Sequence, residues 1–482
     1  MNEQPKIQLE NLSEAQKDRL IKELLERIGI LEARIKELES RQKKDSSTRS
    51  KPPSSDGLGK KPSANRSSLR GKSQKKQGGQ AGHKGYTLQQ SDTPDKIEKY
   101  SPCTCGQCGY DLAGQPAGGY DRRQVYDLPP LMVEVTEHRA YYKICPSCQS
   151  LNRGKFPAAI THPVQYGPSI KSTAVYLKDY QLLPYERIRE MFADIYNHPL
   201  SVATLLNAED NCHTRLEKVA KAIHRALNDA PVVGFDESGV RVEGKLHWLH
   251  STSTSQLTWY LIHPKRGKDA IETAGILTDF KGVAVHDALQ SYFQYSLCTH
   301  ALCNAHHLRE LKLLFEHYEQ LWAAAMAALL RDLHRVVKNH RKAGKNRLSE
   351  SLIAKFKYCY DDILKAALEE IPSLPDPPPN KRGRKKQHPA KNLYDRLLKH
   401  PEAVLRFMRD FRVPFDNNQA ERDIRMIKTQ QKISGTFRKS QGAEVFCRIR
   451  GYISTAKKQG MNVLQVLRSV FEGKPWLPAL TG

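Results

Sequence analysis

No run of about eighteen apolar residues occurs in these 482 residues, so a membrane-spanning helix, which needs about 20 such positions, is not expected. The charged N-terminus also lacks the succession of basic, apolar and small residues that marks a secretory leader. Acids are scarce. Asp and Glu total 52 against 77 Lys and Arg, a formal charge of +25, and an excess of that size points to a polyanionic partner. Each Lys or Arg set against a phosphate releases a condensed counterion, which places nucleic acid ahead of a membrane surface. Cysteine occurs ten times without the scatter of a secreted disulfide framework. Five of the ten fall into two tight groups, which reads as metal binding in a reducing, cytoplasmic compartment. The length exceeds what one hydrophobic core usually holds, so several domains are expected.

What is present divides the chain. Ile21, Ile28 and Ile35 recur every seven residues, and so do Leu24, Leu31 and Leu38. β-Branched residues at a and leucine at d favour a parallel two-stranded coiled coil, with Arg27 and Arg34 at g opposite Glu32 and Glu39 at e. Residues 1–42 are expected to form this leucine-zipper-like helix and 21–38 a homodimer seam; packing on its own chain is the alternative. Residues 43–98 read as a basic flexible linker. Within 43–90, twelve Lys and Arg face two acids with hardly an apolar side chain, too little burial to offset ordering. Such an arm is suited to gripping phosphate, or simply to solubilising the chain.

Residues 99–160 carry "CTCGQCG" and "ICPSCQS", two Cys-x-x-Cys knuckles separated by a β-rich stretch. This is the thiolate spacing of a four-coordinate structural Zn²⁺ site. Cys105, Cys108, Cys145 and Cys148 are the expected ligands, with Cys103 a substitute for Cys105. Residues 161–228 turn helical, and "LPYERIREMFADIYNHPLSVATLLNAEDN" reads as helix, turn near 197–199, Ser201 as N-cap, then a second helix. This helix-turn-helix pattern suits a major groove, although helical hairpins serve structural roles too. In 229–310, three β-rich runs are followed by helix, strand, helix, strand and helix, the order of a mixed-sheet α/β core. Residues 311–410 read as a helical insertion, 411–436 as the rest of the core, and 437–482 as a C-terminal helical region.

Two acids sit at telling places in the core. Asp236 follows "VVGF" on the first strand, and Asp287 follows "VAVH" at the end of a later one. Strand ends of an open α/β sheet converge on a crevice where ligands bind. Glu421 lies on a helix beyond the insertion, in "FDNNQAERDIRMIKTQQK". Carboxylates converging from separate elements repel one another unless a cation neutralises them, and Mg²⁺ suits such oxygen ligands. Two ions about 4 Å apart are able to assist an in-line phosphoryl displacement. Helical spacing aligns Glu421 with Arg425 and Lys428 and turns Asp423 elsewhere. The competing readings are local: Asp287 and Asp416 as helix caps, and Glu421 paired with Arg425.

The stretches "KKQGGQAGHKG", "GFDESGV", "VAVHDALQSYF", "CNAHHLREL" and "VPFDNNQAERDIRMIKTQQKISGTFRKSQGAEVFCRIRGYISTAKKQGMNVLQVL" closely resemble the transposases of the insertion-sequence-66 family, in order along nearly the whole chain. The resemblance implies a ribonuclease-H-like core with an Asp-Asp-Glu triad, here Asp236, Asp287 and Glu421, holding two Mg²⁺ ions or Mn²⁺ as a substitute. It implies that Lys428, with Arg422 and Arg425 beside it, meets the DNA. Asn417 and Asn418 belong to the same motif. Cys303 and His306 match a Cys-x-x-His element that is either a minor metal site or packing at a strand-to-helix junction. The extra Cys103 departs from a simple knuckle.

The expected function is metal-dependent cleavage and strand transfer at the ends of an insertion sequence. The implied partners are double-stranded DNA, both terminal inverted repeats and target, a second copy of the chain, and accessory proteins as a further class. The expected setting is a bacterial cytoplasm, at the nucleoid. A nuclease of the same fold that never joins strands, and a non-catalytic zinc and helix-turn-helix regulator, are the alternatives.

Overall fold

The computed structural model describes residues 88–372 and 387–480, together with positions 18, 22, 29 and 82. The expected coiled coil and its homodimer seam, the linker up to residue 87 and residues 373–386 of the expected helical insertion therefore lie outside the described residues, those four positions apart.

A five-stranded mixed sheet organises the chain. Strands β3 (Val232–Val242), β4 (Lys245–Ser253) and β5 (Thr258–His263) form an antiparallel meander. Glu243 and Gly244, both at positive φ (52° and 74°), make the two-residue turn between β3 and β4, the left-handed geometry that matches the twist of the flanking strands. Strands β6 (Val283–His286) and β7 (Thr299–Leu302) add in parallel on the other side of β3. The resulting order is β5-β4-β3-β6-β7. Helix α5 (Lys268–Ala274) connects β5 to β6. Between β6 and β7, where a helix was expected, the chain makes only a single 3₁₀ turn at Tyr292–Gln294. A separate hairpin, β1 (Tyr142–Ile144) with β2 (Leu151–Arg153), encloses the second cysteine knuckle. Residues 113–141, expected to be β-rich, contain no strand. Their apolar side chains Val125, Leu128, Met132 and Val135 are exposed, with nothing among the described residues packed over them.

Helix α1 (Pro168–Val175) runs on into a π-helical turn at Tyr176–Tyr180. Helices α2 (Tyr185–Tyr196) and α3 (Val202–Arg215) form a hairpin around Ile188, Phe192, Leu200 and Leu205. Its turn uses Asn197 in the left-handed region, and Ser201 Oγ caps α3 by accepting from the Thr204 N–H at 3.0 Å. Helix α4 (Glu217–Asn228) packs with two later helices, α12 (Ser440–Lys458) and α13 (Val463–Phe471), over a core that includes Val233, Phe235 and Ala284 of the sheet. Helix α6 (Asn304–Tyr318) leads from β7 into α7 (Leu321–Lys342), α8 (Glu350–Glu370), α9 (Pro389–Lys399) and α10 (Pro401–Arg409). These share a second core with Val285 and Leu302. The chain then returns to the sheet as α11 (Asn418–Ser434), whose Ile424 and Ile427 pack against Val240, Leu249 and Tyr260.

Candidate active site

The parallel register of β3 on β6 runs from Val232 opposite Val283 to Gly234 opposite Val285. Carried two residues further, it sets Asp236 beside Asp287, the first residue past β6. Strand alternation points Asp236 to the same face as Gly234, and that face receives the first turn of α11. The approach is close: a Cβ on Gly234 would stand 2.4 Å from Asn417 Oδ1 and 3.5 Å from the Ala420 Cβ. Asn417 fastens the junction. Its Nδ2 donates to the Phe235 carbonyl at 2.8 Å and its backbone N–H to Cys303 Sγ at 3.1 Å. Glu421, the next residue after Ala420, is buried here.

The carboxylates have few donors. Asp236 Oδ1 accepts from the Glu237 N–H at 3.0 Å, while Oδ2 is buried without a partner. Burial, then the charges of Glu237, Glu421 and Asp287, push the Asp236 pKa well above the ordinary carboxyl range. Asp287 Oδ1 accepts from the Leu289 N–H at 2.9 Å, as a cap does, and its other oxygen lies 3.8 Å from Arg266. Glu421 does not pair with Arg425. Arg309 Nη2 stands 3.3 Å from both Glu421 oxygens, and His306 Nε2 is 3.5 Å from Oε1. Asp416 occupies an end of the same helix, where its Oδ1 accepts from the Asn418 N–H at 3.1 Å, but the cap position belongs to Asn417.

Three participants escaped the sequence reading. Glu237, on the opposite face of β3 from Asp236, accepts from Arg266 at 2.9 and 2.6 Å and from Tyr292 Oη at 2.7 Å. Its pKa is pushed up to about 7 by burial and by Asp287, against the pull of Arg266 and Tyr292. Arg266 thereby links Glu237 to Asp287 while stacking on Trp248, 4.9 Å from the ring centre. Arg309 is the third. Glu237 was visible as an acid inside an apolar strand, and Arg309 as the residue one turn beyond His306, but neither pattern names a partner.

The two cysteine knuckles fold alike. Cys105 N–H donates to the Tyr110 carbonyl and Gly109 N–H to the Cys105 carbonyl; Cys145 N–H donates to Ser150 and Gln149 N–H to Cys145, all at 2.9 Å. Gly109 and Gln149 both adopt positive φ, 74° and 56°. The second turn begins at Cys145, so the matching one begins at Cys105. Cys103 lies outside it.

Residues 163–445 match the transposase family described as "Transposase IS66 family", and residues 102–149 the zinc-finger binding domain of transposase IS66. The chain belongs to the IS66 transposase family. Residues 2–89 match a family of unknown function (DUF6444), and a search of the curated proteins finds no match. In this IS66-family chain the described helices include none long and apolar enough to cross a membrane.

The zinc-finger match accounts for the cysteine knuckles as a structural zinc module. At the acids, an unpartnered buried Asp236 oxygen among repelling carboxylates is the hard oxygen set that Mg²⁺ fits. Of the basic residues on α11, Arg422 and Arg425 are exposed, and Arg422 also meets Gln419 at 2.6 Å. Lys428 is half-buried, donating to the Gly239 carbonyl of β3, and burial lowers its pKa. Asp423 turns inward to Lys458 at 2.7 Å, away from the acids.

Proposed function

We propose that this IS66-family transposase cuts DNA at the ends of an insertion sequence and joins the freed 3′ end to target DNA, using Asp236, Asp287 and Glu421. What supports this reading is the placement of the three acids on adjoining elements: β3, the end of β6 and the first turn of α11 contribute one each, and burial, then Glu237, then Glu421 and Asp287, raise the Asp236 pKa. A central strand with an antiparallel meander on one side and two parallel strands on the other supports a ribonuclease-H-like core. Mg²⁺, when bound by these acids, supplies an activated nucleophile and charge stabilisation for an in-line phosphoryl displacement.

The chain's own residues set the stage for that chemistry. Asp236 presents Oδ2 with no competing donor. Arg266 tethers Glu237 and approaches Asp287, which fixes the loop after β6. Exposed Arg422 and Arg425, with Lys428 behind them, line the helix beside the acids, where a DNA backbone meets positive charge. Cys105, Cys108, Cys145 and Cys148 hold Zn²⁺ in the module ahead of the core, and the α2–α3 hairpin reads DNA. The heptads at 21–38 bring two chains, and two element ends, together.

The test is an assay of the full chain with Mg²⁺ and DNA carrying the inverted repeats that flank its reading frame. Nicks at the repeat boundary and joined products are expected, both lost in Asp236→Asn. Nicks without joining would instead favour the nuclease, and binding that is indifferent to Asp236 with no cleavage would favour the regulator.

A further inference from the structure

We propose that Cys303, His306 and Glu421 form a further metal site, a thiolate, imidazole and carboxylate set that takes a borderline divalent ion such as Zn²⁺ in preference to Mg²⁺. One ligand atom from each of the three lies within 4.8 Å of the others, so a single ion with bonds of about 2.0–2.3 Å is able to reach all of them after small adjustments. Cys303 is the cap residue of α6 and His306 the third residue of that helix, while Glu421 comes from the first turn of α11. All three are buried.

Two further observations point to a ligand. His306 turns Nε2 toward Glu421 Oε1 at 3.5 Å, and its other nitrogen, Nδ1, is buried without a partner, an orphan that a folded protein rarely leaves. Cys303 Sγ accepts from the Asn417 N–H, the kind of outer donor that orients a metal-bound sulfur and eases negative charge on it. The donor set decides the metal: sulfur and imidazole suit Zn²⁺ and its neighbours, whereas Mg²⁺ demands oxygen. Charge balances as well. The Cys303 thiol gives its proton to solvent, and thiolate and carboxylate together neutralise the ion. Arg309, which faces Glu421 in the structure, then carries a positive charge available to a phosphate. This site rests on the transposase reading only in sharing Glu421 with it.

Zinc content of the full-length chain, dialysed after loading with Zn²⁺ and measured by inductively coupled plasma mass spectrometry, tests the proposal. Wild type is expected to hold about two ions per chain. Cys303→Ser, His306→Gln and Cys105→Ser should each hold about one, and the Cys105→Ser, Cys303→Ser double variant none. Serine at 303 keeps an acceptor for Asn417, and circular dichroism melts verify folding. If Cys303→Ser does not fold, Co²⁺ titration of the Cys105→Ser chain decides: a thiolate-to-cobalt charge-transfer band that Glu421→Gln weakens is expected, and its absence overturns the site. Unchanged zinc content in both Cys303→Ser and His306→Gln overturns it too. Mg²⁺-dependent cleavage is read separately, so zinc that follows Cys303 in a chain unable to cut leaves this site standing and removes the transposase mechanism alone.

Discussion

Arg309 Nη2 lies 3.3 Å from each carboxylate oxygen of Glu421, joining two helices across 112 positions of sequence. Its other terminal nitrogen, Nη1, is buried without a partner. The guanidinium therefore serves as counterion to an acid that the proposed metal sites also need. Arg309→Ala should destabilise the metal-free chain by about 3–5 kcal/mol, because it strands a buried charge. Mn²⁺ should then restore more of the melting temperature than it adds to wild type. Equal melting curves for variant and wild type, with and without Mn²⁺, would show that Glu421 does not depend on this partner.

Asp236 carries the opposite expectation. Asparagine replaces an acid whose ionisation burial, then Glu237, Glu421 and Asp287, all oppose, so the metal-free variant should melt no lower than wild type. Its DNA cleavage should fall about a thousandfold or more, the equivalent of the several kcal/mol that divalent cations supply. A variant that melts normally and still cuts would remove Asp236 from the mechanism.

Glu237 makes the chain sensitive to pH. Its folded pKa is about 7, above its unfolded value, so the folded state holds the proton more tightly. That contribution is complete below the unfolded pKa and fades as pH climbs through about 7. Glu237→Gln should gain stability relative to wild type over that interval, by about 3 kcal/mol at most. The comparison must be made between the two chains at each pH, because His250 and His306, both lowered to about 4 by burial, add stability as pH rises over the acid part of the same range. A constant difference between the two melting profiles would refute the role given to Glu237.

Gly234 sets how closely α11 seats on β3. The methyl of Gly234→Ala would meet Asn417 Oδ1 at 2.4 Å, forcing Asn417 from the Phe235 carbonyl or lifting the helix. A loss of about 1–3 kcal/mol is expected, as for overpacking elsewhere, with a larger proportional drop in DNA cleavage because Glu421 moves with the turn. Chemical denaturation and the cleavage assay read the two effects independently.

The matching turns begin at Cys105 and Cys145 and leave Cys103 outside, which favours Cys105 as the ligand of the first knuckle. Cys105→Ser should lose the finger zinc, whereas Cys103→Ser should retain wild-type zinc content. Loss of zinc in Cys103→Ser would move the first knuckle two residues upstream.

The strands were legible because β-branched and aromatic runs separated by Gly and Ser/Thr turns have few other outcomes, and Asp236 could be placed on one and Asp287 at the end of another directly. Ser201 was legible as a cap for the same local reason. The partner of Glu421 was not. The helical i, i+4 rule offered Arg425, yet such a pair at a solvent-facing position contributes only about 0.2–0.5 kcal/mol, and Arg425 is exposed. Arg309 prevails because tertiary packing buries both of its contact groups, a fact that no local spacing encodes. The stretch at 113–141 misled in the reverse sense: its apolar residues resemble a strand pattern, but without a packing surface the pattern buries nothing.

The four described helices between α6 and α11 impose an order on manufacture. A ribosome delivers Asp236 and Asp287 early and Glu421 only after the whole helical excursion has emerged, so no nascent chain owns a complete set of acids until translation is nearly done. On the proposed reading, a message truncated anywhere in that excursion would encode the cysteine module and the α2–α3 hairpin without Glu421, a chain that lacks the third acid.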